Sequence, residues 1–167
     1  MYQIGDQVVY GFHGVCRIMG EEVQSIDGKR VVYLALEPIG QEGARYLVPT
    51  HNAAAMGKLR RMLRREELEA LLHADGLHEA KWIPDENLRK NTYRELIGRG
   101  NVEQLITMMA ALYRHKKQQQ SNGRKVHLCD DNFLRDAEKL LIGEAAVVLG
   151  LSQEEARNYL RKILGKE

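Results

Sequence analysis

The first third of the chain has the hydrophobic pattern of short β-strands. Over residues 1–63, apolar residues alternate with polar ones or form short β-branched runs, of which Val31–Leu36 and Tyr46–Val48 are the clearest. Glycines separate these runs, and Asp27–Gly28 between two of them predicts a type I′ hairpin turn. A few short antiparallel strands cannot cover both faces of an open sheet, so we predict a small β-barrel of the SH3 or Tudor type.

The next segment, residues 64–80, is predicted to hold a short helix and a linker. The helix is expected from Arg65 to His73, because leucines recur there at helical spacing. The leucines on one side of this helix are Leu68, Leu71 and Leu72. Residues 58–63, just before it, fit either a last strand or an extended connector.

Residues 81–167 have the period of amphipathic helices and predict an all-α bundle. Pro84–Asp85 is a helix start signal and Gly98–Gly100 is a stop signal. Ser152 and Glu155 have the spacing of a capping box at the start of the last helix. The longest apolar stripes are Val102, Leu105, Ile106, Met109, Leu112 and Tyr113, then Phe133, Leu134, Ala137, Leu140, Leu141, Ala145 and Val148. The predicted fold class is α+β in two domains, a small N-terminal barrel followed by a helical bundle.

Composition narrows the class of protein. The chain of 167 residues is 44% hydrophobic and 29% charged, which is typical of soluble globular proteins. No apolar run approaches the ~18 residues needed to cross a bilayer, and the first residues lack the features of a signal peptide. Cys16 and Cys129 form neither a disulfide framework nor a CxxC pair. We expect a cytoplasmic protein that does not associate with membranes.

The sequence offers no convincing catalytic site. The glycine-rich segment Gly11–Gly14 precedes a strand rather than a helix and lacks the Lys-Ser/Thr pair of a phosphate-binding loop. His13 or His51 would have to join His127 and Cys129 to bind a metal, but their spacing makes no tetrahedral set. We predict that the protein is not an enzyme and needs no cofactor or metal ion.

Basic residues are concentrated in the helical half, although the net charge is only +2. One group surrounds the first helix of the bundle and consists of Lys81, Arg89, Lys90, Arg94 and Arg99. A second group surrounds the end of the next helix and consists of Arg114, His115, Lys116, Lys117, Arg124 and Lys125. If the two groups lie together, they form a surface able to neutralise several phosphates. A solvated helix face explains the same charges equally well.

Trp82 is the only tryptophan of the chain, and it extends none of the apolar stripes. It lies in the connector before the first helix of the bundle, between Lys81 and Ile83. An indole beside basic residues can wedge into a base step or stack on unpaired bases. A lone tryptophan can equally fill the junction between two domains, and both alternatives stay open at this point.

Two motifs carry a resemblance to a known family. The opening segment, residues 2–15, reads Y-Q-I-G-D-Q-V-V-Y-G-F-H-G-V and resembles the start of the CarD/CdnL family. Residues 46–53, Y-L-V-P-T-H-N-A, resemble the Val-Pro segment of the same family. In the helical half, Trp82, residues 100–114 and residues 137–145 are also similar, so the likeness spans nearly the whole chain.

This resemblance implies a two-domain bacterial transcription regulator. In that family a Tudor-like N-terminal domain, shared with the transcription-repair coupling factor, binds the β subunit of RNA polymerase through an exposed strand edge. The helical domain contacts promoter DNA at the upstream edge of the transcription bubble, where a tryptophan wedges into the minor groove and stabilises the open complex. We expect little sequence specificity, because no helix presents an array of Arg, Asn and Gln to base edges.

The resemblance assigns roles to particular residues of this chain. Trp82 would be the wedge, and the DNA contacts beside it would be Arg89, Lys90 and Arg94. The strand facing the polymerase would contain Arg45, Tyr46, Leu47, Val48 and Pro49. One departure is the acidic turn Asp130–Asn132, which suits a helix N-terminus better than a phosphate. The alternative is a module that binds polymerase or another partner without contacting DNA; in either case we expect a monomer when free.

Overall fold

The computed structural model describes residues 2–165, apart from the side chain of His78, and these form two compact units that divide between Met62 and Leu63. We call residues 2–62 the strand unit and residues 63–165 the helical unit. The strand unit contains β1 (Gln7–Tyr10), β2 (Val15–Ile26), β3 (Lys29–Pro38), β4 (Tyr46–Pro49), α1 (Ala53–Met56) and β5 (Leu59–Arg61). The helical unit contains α2 (Arg65–Leu72), α3 (Glu86–Arg99), α4 (Val102–Ser121), α5 (Leu128–Leu149) and α6 (Gln153–Leu164). The expected α+β organisation in two parts is confirmed.

One antiparallel sheet of five strands, in the order β4-β3-β2-β1-β5, builds the strand unit. Its longest feature is the β2–β3 hairpin, in which Ile26 pairs with Lys29 across the turn. Asp27 and Gly28 have φ angles of 51° and 74°, the positive values that a type I′ turn requires at both central positions. The hairpin predicted from the Asp-Gly pair is therefore confirmed.

The sheet is curled but does not close into the predicted barrel. Among the described residues no pairing joins the edge strands β4 and β5, which are only four and three residues long. Aromatic side chains span part of the gap instead. The ring of Tyr46 in β4 lies 6.0 Å from that of Tyr10 in β1 and 4.4 Å from that of His13. Side-chain packing therefore replaces the backbone hydrogen bonds of a closed barrel, and β4 keeps a free edge.

The core of the strand unit comes from alternate residues of its strands. Its buried members are Val8, Cys16, Ile18, Leu34, Leu36, Val48 and Leu59. The short helix α1, which the sequence pattern did not predict, joins β4 to β5, and Asn52 caps it by accepting a hydrogen bond from the Ala55 N–H at 3.1 Å.

In the helical unit, α2 shares one core with α3 to α6. Leu68 and Leu72 of α2 are fully buried in this core, so the stripe of leucines is covered by the later helices. The predicted capping box is present: the Glu155 N–H donates to Ser152 Oγ at 3.1 Å, and the Ser152 N–H donates to Glu155 Oε2 at 2.8 Å. The start of α3 at Asp85 and its end at Gly100 also match the sequence signals.

Candidate partner-binding edge and nucleic-acid surface

The backbone of β4 alternates between the neighbouring strand and the free edge of the sheet. The Thr50 N–H donates to the Val32 carbonyl at 3.0 Å, so Thr50 directs its backbone groups toward β3. Because these directions repeat every second residue, Val48 and Tyr46 also face β3, whereas Leu47 directs its N–H and C=O away from the sheet. Among the residues that the structure describes, the Leu47 N–H and C=O therefore have no partner at this open edge.

The five β4-region residues predicted to face the polymerase differ in what they expose. Val48 is fully buried in the core, and Tyr46 packs against that core. Leu47 and Pro49 are half-buried, and the missing N–H of proline costs no ladder bond at an edge position. The exposed Arg45 forms an ion pair with Glu22 at 2.6 Å. Side-chain contacts with a partner are thus open to Arg45, Leu47 and Pro49, while Val48 holds the strand in place.

In the helical unit, Trp82 is clamped between two side chains. The His115 imidazole stacks on the indole with ring centroids 3.5 Å apart and planes inclined by 5°. The Arg89 guanidinium carbon lies 4.4 Å from the indole centroid. Arg89 belongs to α3 and His115 to α4. The half-buried indole is therefore held by both helices.

His115 favours the neutral form in this stack. Burial lowers the pKa of its imidazole, and the nearby charges of Arg89 and His127 act in the same direction, while Asp130 opposes them. A neutral imidazole stacks on an indole without adding a second cation beside Arg89. The clamp therefore carries the charge of Arg89 alone near neutral pH.

Arg89 is a structural residue rather than a surface cation. It is 3% exposed, and its Nε and Nη2 groups donate to both carboxylate oxygens of Asp130 at 2.8 and 3.1 Å. Its Nη1 group donates to the Ile83 carbonyl at 2.9 Å. The assignment of Arg89 as a phosphate contact is not supported by this geometry, because the guanidinium is enclosed and already bound. Arg89 instead positions Trp82. It also neutralises Asp130, which belongs to the acidic turn Asp130–Asn132 that suits a phosphate poorly.

Residues 2–62 match the family model of the CarD-like/TRCF RID domain. The match covers the strand unit, including the free β4 edge, and ends at the boundary with the helical unit. It supports the resemblance seen in the opening segment and in the Val-Pro segment at the level of this domain. The narrower likeness to CarD/CdnL regulators, which includes Trp82, lies partly outside the RID match and stays a prediction.

Several of the basic residues that were expected to contact DNA already form ion pairs or hydrogen bonds within the helical unit. Lys90 pairs with Glu86 at 2.8 Å, and Lys116 pairs with Asp131 at 2.9 Å. Arg114 donates to the carbonyls of Ala80 and Leu77 at 3.0 and 2.9 Å and so holds the connector against α4. Within residues 2–165, the exposed cations of the two groups that have no ion pair are Lys81, Arg94, Arg124 and Lys125.

The pattern along the chain did not reveal how the side chains assemble around Trp82. The sequence presents His115 as one of several basic residues and Asp130 as a helix-start acid, but the structure stacks His115 on the indole and pairs Asp130 with Arg89. Arg89 and Asp130 are 41 residues apart, so no local spacing signals their pairing. The one available signal was that Arg89 falls on the same helix face as the buried Tyr93.

Within residues 2–165, the side chain of His78 aside, no group of three or more His, Cys, Asp or Glu side chains is placed to bind a metal ion. None of the helices in this range is both long enough and apolar enough to span a bilayer.

Proposed function

We propose that this protein is a non-enzymatic transcription regulator that binds the β subunit of RNA polymerase through its strand unit. The observation that carries the proposal is the match of residues 2–62 to the RID family, whose domain interacts with this subunit. The free β4 edge supplies a physical means of binding. A strand of the partner would pair with the outward N–H and C=O of Leu47, as in other cases of β-strand addition. Its place of action would be the cytoplasm.

The helical unit would then contact promoter DNA where the strands begin to separate. Support comes from the likeness of the helical half to the CarD/CdnL family and from the rigid clamp that holds Trp82. Lys81 and Arg94 are exposed and would bind phosphates, and Lys90 would do so by exchanging its Glu86 partner. Docking on the polymerase makes this DNA contact intramolecular, so a contact too weak for the free protein becomes effective.

Trp82→Ala tests the DNA contact. We expect the wild-type protein to lengthen the lifetime of open complexes formed by its own polymerase. With the variant, the lifetime should be about 10- to 100-fold shorter than with the wild type, because a wedge contributes a few kcal/mol and each 1.4 kcal/mol is tenfold. The lifetime is measured by challenging preformed complexes with a competitor. Binding of the variant to polymerase, and its thermal unfolding, serve as controls. A wild-type protein without effect on the lifetime would contradict the proposal.

A second candidate function is a module that binds polymerase without contacting DNA. The observation that favours it is the packing of His115 and Arg89 on the Trp82 indole, which occupies ring surface that stacking on a base would need. The same experiment separates the two functions. A Trp82→Ala variant that stays folded, binds polymerase and extends the lifetime like the wild type would favour the module.

A further inference from the structure

A cavity of about 530 Å³ lies in the helical unit behind the Trp82 clamp, between the connector, α3 and α4. Lys81 and Ile83 line this cavity, whereas the indole between them turns to His115 and Arg89. The backbone of the connector therefore separates the cavity from the clamp. The Cα atoms of Lys81 and Ile83 are each only about 3.8 Å from that of Trp82, because they are its neighbours in the chain. A nucleotide beside Trp82 could therefore reach the cavity that these two residues line.

The cavity has an apolar floor. Tyr93, Met108 and Ala111 are buried beneath it, and Ile83 and Leu96 form half-buried walls. The volume of the cavity falls within the ~300–1,000 Å³ of sites that hold small planar or drug-sized groups, and such sites combine an apolar lining with a few polar groups.

Polar side chains surround the opening, and one of them, Thr107, already donates its hydroxyl to the Glu103 carbonyl at 3.0 Å. Asn101 Oδ1 accepts from the Gln104 N–H at 3.0 Å, which leaves the side-chain amide N–H groups of Asn101 unused within residues 2–165. The side chain of Gln104 is exposed on the same rim, and so is Thr107. These groups donate and accept hydrogen bonds in the way that the edge of a nucleobase requires.

Charges at the rim fit one nucleotide rather than a long anion. Lys81 is exposed without an ion pair within the described residues and is available to a phosphate. Glu103 of α4 also lines the cavity, and its carboxylate would repel a second phosphate but accept a hydrogen bond from an exocyclic amino group. An apolar floor, polar rim and single free lysine together describe a site for a base with its own phosphate.

We propose that this cavity holds an unpaired base of the parted promoter strand, next to Trp82. The inference rests on the DNA contact of the proposed function and adds to it a second point of contact. The wedge would open the base step, and the cavity would retain the displaced base, which favours the parted state over the duplex. Capture of a base by apolar side chains and hydrogen bonds needs no fixed promoter sequence.

Promoter templates with a single abasic site at successive positions of the upstream fork test this site. The lifetime of the open complex is measured with and without the full-length protein, and the ratio of the two removes the effect of the lesion on polymerase alone. For the wild type we expect this ratio to fall about tenfold at one position, which corresponds to the loss of about 1.4 kcal/mol of base contact.

Thr107→Trp supplies the matching protein variant, because a bulky side chain at the exposed rim fills the cavity from outside. With this variant, the lifetime ratio on the intact template should fall to the value that the wild type gives on the sensitive abasic template. The intact and abasic templates should then give the same ratio. Gln118→Trp is the control. It lies on the same face of α4, about 16 Å further along, outside the cavity, and should behave like the wild type.

The outcomes separate this inference from the proposed function. If the wild-type ratio is large but equal on all templates, or if Thr107→Trp keeps the wild-type pattern, the base site is wrong while the DNA contact stands. If the protein leaves the lifetime unchanged on every template, the DNA contact itself fails. Thermal unfolding of both tryptophan variants shows whether either substitution damages the helical unit.

Discussion

Asp130→Ala is expected to destabilise the helical unit by about 3–5 kcal/mol, the usual cost of leaving one charge of a buried ion pair without its partner. The side chains of Arg89 and Asp130 are only 4% and 1% exposed, so water cannot replace the lost carboxylate. The indole clamp should loosen as well, because Asp130 holds the Arg89 guanidinium over Trp82. Trp82 is the only tryptophan, so its fluorescence during urea unfolding reports on this unit alone.

A matched control lies one residue further along the same helix turn. Asp131 pairs with Lys116 and Arg135 at a more exposed position, so Asp131→Ala should cost less than about 1 kcal/mol. Replacing both members of the buried pair by leucine should recover much of the stability, since a well-packed apolar pair avoids the desolvation of two charges. Equal losses for the two alanine variants would show that Arg89 and Asp130 do not form a buried pair in solution.

Features set by neighbouring residues could be predicted from the sequence. The Asp27–Gly28 turn, the Ser152 capping box and the limits of α3 all depend on groups within a few residues of one another. Each has a chemical cause that the sequence displays directly, such as a positive φ angle or an unsatisfied helix N–H.

Features that depend on distant residues could not be predicted in the same way. Closure of the barrel was expected from the number and shortness of the strands, but β4 and β5 do not pair with each other among the described residues, and only the structure shows Tyr46 reaching Tyr10. From the sequence, Arg89 is one of several basic residues on a helix, and only the structure shows that it is buried against Asp130. A charge pattern cannot distinguish a solvated arginine from a buried one, because the partner comes from a different helix.

Leu47→Pro is expected to weaken binding to the polymerase β subunit by about 10- to 100-fold. The Leu47 N–H points away from β3, so its removal leaves the pairing of β3 and β4 intact, and proline is tolerated at edge positions. An incoming strand, however, would lose the hydrogen bond from this N–H and keep a buried carbonyl without a donor, which costs roughly 1–3 kcal/mol. Titration of the full-length protein against the purified β subunit measures the affinity.

Leu47→Ala separates the backbone contact from the side-chain contact, because alanine keeps the N–H but removes the isobutyl group. If strand addition carries the binding, the alanine variant should retain most of the affinity that the proline variant loses. Thermal unfolding of both variants checks the sheet, and Arg45→Ala reports on the exposed side chain at the start of the strand. Wild-type affinity in a folded Leu47→Pro protein would mean that the polymerase is bound elsewhere on the strand unit, since strand addition at this edge would lose the hydrogen bond from the one outward amide within β4.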